Sequence, residues 1–142
     1  MRVLYPGSAE GELLRLEAPL SFWGGVDPAT GTIIAAQHLQ RGVSIAGKIL
    51  AIPVAIGSSS SSSVMLELIR AGKAPAAVIM GSVDAILIVG CLVGRELGYH
   101  SPPAVEMPIA EIEALAQGHY RLEAENGALR LIAVGQGVSG SF

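Results

Sequence analysis

Six consecutive serines, Ser58 to Ser63, lie between two strongly apolar segments, and this juxtaposition constrains the fold more than any other feature. A serine run alone is a flexible linker, and a linker between two domains is one reading here. The flanks favour another. Gly47-Lys48-Ile49-Leu50-Ala51-Ile52-Pro53 reads as a buried strand that Pro53 stops. Val64-Met65-Leu66-Glu67-Leu68-Ile69-Arg70 carries apolar residues at helical spacing, with Gly72 as its stop. Neither flank is long enough to stand as a domain. The expected arrangement is a strand, a serine-rich loop and a helix N-terminus.

The same alternation continues. Ala76-Ala77-Val78-Ile79-Met80 is a short apolar strand of the kind buried on both faces of a parallel sheet. Asp84 is placed to cap a helix running to about Leu97, with Gly98 as its stop. Ala104-Val105-Glu106-Met107 is the next strand. Two βαβ units therefore lie between about Lys48 and Met107. The ends are β-rich. Met1 to Tyr5 precedes a break at Pro6-Gly7-Ser8, and Leu13 to Leu16 reads as a second strand, with Pro19 as an edge signal. Leu20 to Trp23 reads as a third, which Gly24-Gly25 ends or bends. Asp27-Pro28-Ala29-Thr30-Gly31 is turn chemistry, and Thr32-Ile33-Ile34 the returning strand. Pro108 to Gln117 holds a short helix. Tyr120 to Ala124 and Ala128 to Val134 then form a hairpin about Asn126-Gly127. Gly135 to Phe142 is Gly/Ser-rich and expected to fray. The fold class expected is α/β, with β-rich ends around a βαβ centre. Residues 1–142 form a single domain without internal repeats.

With 51% hydrophobic and 15% charged residues, the chain is no disordered polymer and can bury a core. A net charge of −3 leaves no basic footprint for nucleic acid or an anionic membrane. The longest uncharged apolar run, Ala85 to Gly94, is too short to span a bilayer. Met1 to Pro6 lacks the apolar segment of a signal peptide, so a cytoplasmic protein is expected. The hydrophobic excess points to a surface buried against another chain. A single cysteine, Cys91, rules out an internal disulfide and a self-contained cysteine metal site; it reads as a small buried hydrophobe. His38, His100 and His119 have no partner at helical spacing, so no metal site is expected, and His38 reads as structural.

The serine loop carries the chemistry. A helix N-terminus presents unpaired N–H groups and a partial positive charge, and serine hydroxyls add donors without bulk. Together they suit a carboxylate or a phosphate. Neither Gly-Lys-Ser/Thr nor Gly-x-Ser-x-Gly is present, so this is no Walker loop and no nucleophile elbow. Glu67 and Arg70 read as a solvated helix face, with docking to a partner as the other reading. Trp23-Gly24-Gly25 is either a tightly turning strand with Trp23 in the core, or a backbone that a ligand can approach closely. Asp27 serves its turn. No second titratable group stands near the serines, and a serine acts as a base only where its alkoxide is stabilised.

Several segments, in order, resemble the swivel domain of the aconitase X family. They are Pro19-Leu20-Ser21-Phe22-Trp23-Gly24-Gly25-Val26-Asp27-Pro28-Ala29-Thr30-Gly31, Gly47-Lys48-Ile49-Leu50, Gly57 with Ser58 to Ser63, Glu67, Ala71-Gly72-Lys73-Ala74-Pro75-Ala76-Ala77, and Gly90. The resemblance covers about Met1 to Met107. It implies a swivelling β/β/α barrel-like fold of the aconitase type. It also implies a small subunit that closes over a site shared with a large catalytic subunit, forming a heterodimer. On the resemblance, this chain binds no cofactor itself and no metal. The iron–sulfur cluster is expected in the large subunit. Ser58, directly after Gly57, is the best match for the catalytic serine base; Ser62 is the next, and the run leaves the adjacent serines as further candidates. Gly57, Ser59, Ser60, Ser62, Gly24 and Gly25 are the substrate-binding residues implied. Ordinary aconitases carry an arginine shortly after Gly-Ser-Ser; none lies between Gly57 and Glu67 here. The family dehydrates small hydroxy acids. Two lysines against seven arginines favour the bacterial substrate, cis-3-hydroxy-L-proline. The alternative is (R)-5-phosphomevalonate, the substrate in the mevalonate pathway of archaea. A solo module that binds a small anion without catalysis is the competing class. The serine loop argues against a pure assembly protein.

Overall fold

The computed structural model of the protein describes residues 1–135. All but the first residue of the tail expected to fray lies outside them. Seven strands form one sheet in the order β1-β5-β4-β3-β2-β6-β7. They are β1 (Arg2–Tyr5), β2 (Gly7–Arg15), β3 (Ile49–Ile52), β4 (Ala77–Met80), β5 (Ala104–Glu106), β6 (His119–Glu125) and β7 (Ala128–Ala133). Strands β2 to β5 run parallel, while β1, β6 and β7 pair antiparallel to their neighbours. The helices are α1 (Phe22–Gly25), a single turn, α2 (Ser61–Ala71), α3 (Ala85–Glu96) and α4 (Ile109–Ala114).

The centre is the expected pair of βαβ units. All four residues of β3 and of β4 are buried, because both faces of these strands are covered. Alternate residues go to opposite cores. Leu50, Ile52, Val78 and Met80 pack with Val64, Met65 and Leu68 of α2 and with Leu87 and Cys91 of α3. Ile49, Ala51, Ala77 and Ile79 pack with Ile112 of α4 and with Tyr120 and Leu122 of β6. Successive strands β3, β4 and β5 step in one direction across the sheet, so two right-handed crossovers place α2 and α3 on the same face. The sheet edges β1 and β7 also contact each other, so the sheet curls toward a barrel around the second core. Helix stops follow the sequence. Gly72 takes φ 71° at the end of α2, and Asp84 accepts the Ile86 N–H at the start of α3. The hairpin turn has φ 54° at Asn126 and φ 75° at Gly127, the left-handed pair that a two-residue turn needs.

Several expectations at the N-terminal end are corrected. The second strand begins at Gly7, not Leu13, because its first half pairs with β6. Pro19 marks no edge strand: β2 is paired on both sides and ends before it. Leu20 to Trp23 is not a strand. Only Leu20 finds a strand-like partner, Ala55, and Phe22 starts the turn α1. Thr32-Ile33-Ile34 makes isolated bridges, Ile33 with Val26 and Thr32 with Ser44, rather than a strand. The third apolar segment instead seals the α2 side of the sheet, where Phe22, Val26 and Ile33 are buried.

Candidate functional site

The β3–α2 connection leaves the sheet at the C-terminal edge of the parallel strands, where α/β sheets bind ligands. Pro53 ends β3 and the serines begin α2 at Ser61. The run is not uniform. Ser59 and Ser63 are exposed, Ser58, Ser60 and Ser62 half-buried, and Ser61 buried. The Ser60 N–H donates to Ser58 Oγ at 3.3 Å. The Ser61 N–H donates to the Ser58 carbonyl at 3.0 Å, and the Ser62 hydroxyl to the Ser59 carbonyl at 3.5 Å. Ser60, the residue before α2, makes no side-chain cap. Nothing in the sequence distinguishes Ser61 from its neighbours by burial. It is 1% exposed, and its Oγ has no hydrogen-bond partner among the described residues.

Gly24 and Gly25 are brought to the same edge. They line a cavity of about 350 Å³ with Leu20, Trp23, Ala36 and Ile56, the last directly before Gly57. Ser21, not singled out by the sequence, lines it too. The serines of the run do not line this cavity; they stand beyond Ile56. Trp23 is 60% exposed, which overturns its reading as core. Gly24 has φ 77°, and a Cβ there would meet nothing within 4 Å, so its backbone is open to approach. Gly25 differs: a Cβ would stand 2.9 Å from Leu20 Cδ1, so its bareness serves packing. A second cavity of about 350 Å³ lies on the other flank of Pro19, where Glu17 and Glu113 line it. Its Arg15 guanidinium is engaged with the Ile112 and Leu115 carbonyls at 3.2 and 2.6 Å. Two carboxylates and a committed cation disfavour an anion there.

The remaining candidates are structural. His38 Nδ1 accepts the Gln40 N–H at 3.0 Å, so Nε2 carries the proton toward the Ala18 carbonyl at 3.1 Å. His119 pairs with Glu10 at 3.1 Å across β6 and β2. Glu67 and Arg70 form a two-pronged surface ion pair. The hydrogen bond from Arg70 holds the Glu67 carboxyl below the usual range and raises the guanidinium in return. Cys91 is 1% exposed, and burial pushes its thiol up to about 12. Among the described residues no three His, Cys, Asp or Glu converge on a metal-sized site. With one protonated, buried thiol, these residues do not fit an iron–sulfur cluster. No helix among them is long and apolar enough to cross a membrane.

A curled, mixed sheet that offers a serine-rich helix N-terminus at its open edge defines a swivel-type α/β domain. The chain belongs to the aconitase X swivel domain family, which matches residues 1–131. It is 48% identical over 102 residues to the cis-3-hydroxy-L-proline dehydratase of Pseudomonas aeruginosa, covering 72% of this chain and 18% of that one. Over 136 residues it is 36% identical to the phosphomevalonate dehydratase small subunit of Thermococcus kodakarensis, covering 95% and 96% of the two chains. The crystal structure of Thermococcus kodakaraensis aconitase X in its holo form superposes with a TM-score of 0.78 at 36% identity, over 92% of this chain and 95% of that one. The chain spans less than a fifth of the two cis-3-hydroxy-L-proline dehydratases it matches.

Proposed function

We propose that this chain is the small, swivel subunit of an aconitase X-type hydro-lyase, and that its β3–α2 loop closes over a site completed by a large subunit. The observation that carries this is the Ser60 N–H donating to Ser58 Oγ at the start of α2. Dehydration breaks a C–H bond and a C–O bond. The base takes the proton, the C–H electron pair becomes the C=C bond, and hydroxide leaves to be protonated to water. Ser58 is the base. The Ser60 N–H and the dipole of α2 support its alkoxide. Gly57, Ser59, Ser60 and Ser62 hold the polar groups of the substrate, while Gly24 and Gly25 line the adjoining cavity beside Ile56. The iron–sulfur cluster belongs to the large subunit. The exposed apolar side chains Trp23, Val54 and Ile56 beside the loop suit burial against that subunit.

The substrate favoured is cis-3-hydroxy-L-proline. The wall of Trp23, Gly24, Gly25 and Ile56 offers a pyrrolidine ring apolar surface and brings no cation for a phosphate. The second reading is (R)-5-phosphomevalonate, supported by the match over nearly the whole of both chains to a phosphomevalonate dehydratase small subunit. Co-expression with the large subunit, followed by assay on both compounds, tests the reading. Water loss from hydroxyproline by the complex, and by neither chain alone, is expected. Turnover of phosphomevalonate alone selects the second reading. A complex that dehydrates neither overturns both and leaves a module that binds a small anion.

A further inference from the structure

The serine loop is pinned at three places by other elements. At its root, the Gly81 N–H donates to the Ile52 carbonyl at 2.9 Å, and a Cβ on Gly81 would strike the carbonyl oxygen of Pro53. In its middle, Ala55 bridges Leu20, and the Ile56 N–H donates to the Leu20 carbonyl at 3.4 Å. At its far end, a Cβ on Gly90 of α3 would stand 2.8 Å from the Ser62 carbonyl oxygen and 2.9 Å from Met65 Cβ. Between these pins the loop is open: a Cβ on Gly57 would meet nothing within 4 Å.

The kind of contact matters. A Cβ that meets the end of a side chain is absorbed by a rotamer change, whereas one that meets a carbonyl displaces backbone. Gly94 lies one turn beyond Gly90 on α3. Its Cβ would meet Ser101 Oγ at 2.8 Å and Ile69 Cδ1 at 3.3 Å, both side-chain atoms. A Cβ on Gly81 meets the Pro53 carbonyl of the β3–α2 connection, and one on Gly90 meets the Ser62 carbonyl in the first turn of α2. Glycine inside a helix is destabilising relative to alanine, so Gly90 needs a physical reason. The depth of the first turn of α2 against α3 is that reason. It buries Ser61, at the cost of a hydroxyl without a partner among the described residues, and leaves Ser58, Ser60 and Ser62 half-buried at the edge.

We propose that Gly90 and Gly81 are positioning residues: their missing side chains set how deeply the serine turn seats, and so where the Ser58 hydroxyl stands. The catalytic part of this inference rests on the function proposed above. In the assembled complex, Gly90→Ala and Gly81→Ala are each expected to lower kcat by about tenfold with KM little changed, since small misplacements cost orientation before they cost binding. Gly94→Ala keeps kcat within about twofold when rates are normalised to assembled complex. A merely structural role gives equal kcat per complex in all three variants, and that result overturns the proposal. Should Gly90→Ala fail to fold, Gly81→Ala carries the test. A second readout is independent of the reaction: amide NMR resonances of Ser58 to Ser63 shift in Gly90→Ala and Gly81→Ala but not in Gly94→Ala. If the wild-type complex dehydrates nothing yet these shifts appear, the functional reading fails and the positioning holds. An active wild type with unshifted amides in the two variants sinks the positioning alone.

Discussion

Two loops leave the same edge of the same parallel sheet and open helices of similar length, yet they start those helices in opposite ways. The β4–α3 loop ends at Asp84, whose carboxylate accepts the Ile86 N–H at 3.0 Å. The β3–α2 loop ends at Ser60, which makes no side-chain cap, and Ser61 buries a hydroxyl without a partner among the described residues. A side-chain cap is worth about 1 kcal/mol, so α2 forgoes stability that α3 takes. The charges differ as well. Asp84 places a carboxylate at a helix start, which repels an anion, while the serine turn places none. The start of α3 is committed to the fold; the start of α2 is left with groups that a ligand can use.

The largest expected effect separates the two starts outright. Ser58→Ala in the assembled complex should lower kcat by about a hundredfold to a thousandfold, with an unchanged circular dichroism spectrum. Near wild-type kcat in Ser58→Ala, with an inactive Ser62→Ala, would move the base to the first turn of α2. Next comes the inertness of α3. Its Cys91 thiol, pushed up to about 12 by burial, should ignore an aromatic disulfide reagent at neutral pH until the chain unfolds. The sign for stability follows from a raised pKa. The contribution is complete below the unfolded value and is lost as pH rises through the folded one. Chemical denaturation in buffers above about pH 9 should therefore show stability falling by at most about 1.4 kcal/mol per pH unit from this group, and Cys91→Ala should flatten that slope.

Two smaller effects sharpen the contrast. Asp84→Ala should cost about 1 kcal/mol in urea unfolding while leaving kcat per assembled complex unchanged. Ser61→Ala should do the reverse of a cap deletion. By removing a buried hydroxyl without a partner it should raise stability by about 1 kcal/mol, with kcat within about twofold of wild type. A destabilised Ser61→Ala would mean that this hydroxyl has a partner after all.

The two loops also differ in how far they can be read from the sequence. The α3 start is legible because Asp84 and Gly98 are local signals, acting within one turn of their own residues. The β-hairpin is legible for the same reason, since Asn126-Gly127 needs only its own left-handed backbone. The N-terminal third is not. Leu20-Ser21-Phe22-Trp23 has the composition of a strand, but strands need partners, and only Leu20 finds one, in Ala55. Its apolar residues are apolar because Phe22 packs into the core on the α2 face, not because they lie in the sheet. The early half of β2 was hidden by the glycines and charges of Gly7 to Glu12; it is a strand because β6, more than a hundred residues away, pairs with it.

The candidate site divides along the same line. From the residues alone it follows that a serine-rich loop joins a buried strand to a helix start, because Pro53, the apolar β3 and the apolar spacing of α2 are local facts. Gly24 is likewise legible as a place where backbone can be approached, whereas the packing role of Gly25 shows only in the structure. Which serine is buried, which are presented and what stands opposite them are decided only in three dimensions. Six identical residues carry no register of their own. The packing of α2 on Gly90, the bridge from Leu20 and the seat of Pro53 on Gly81 join segments distant in the chain. Those long-range contacts break the symmetry of the run, burying the Ser61 hydroxyl and leaving its neighbours at the open edge of the sheet.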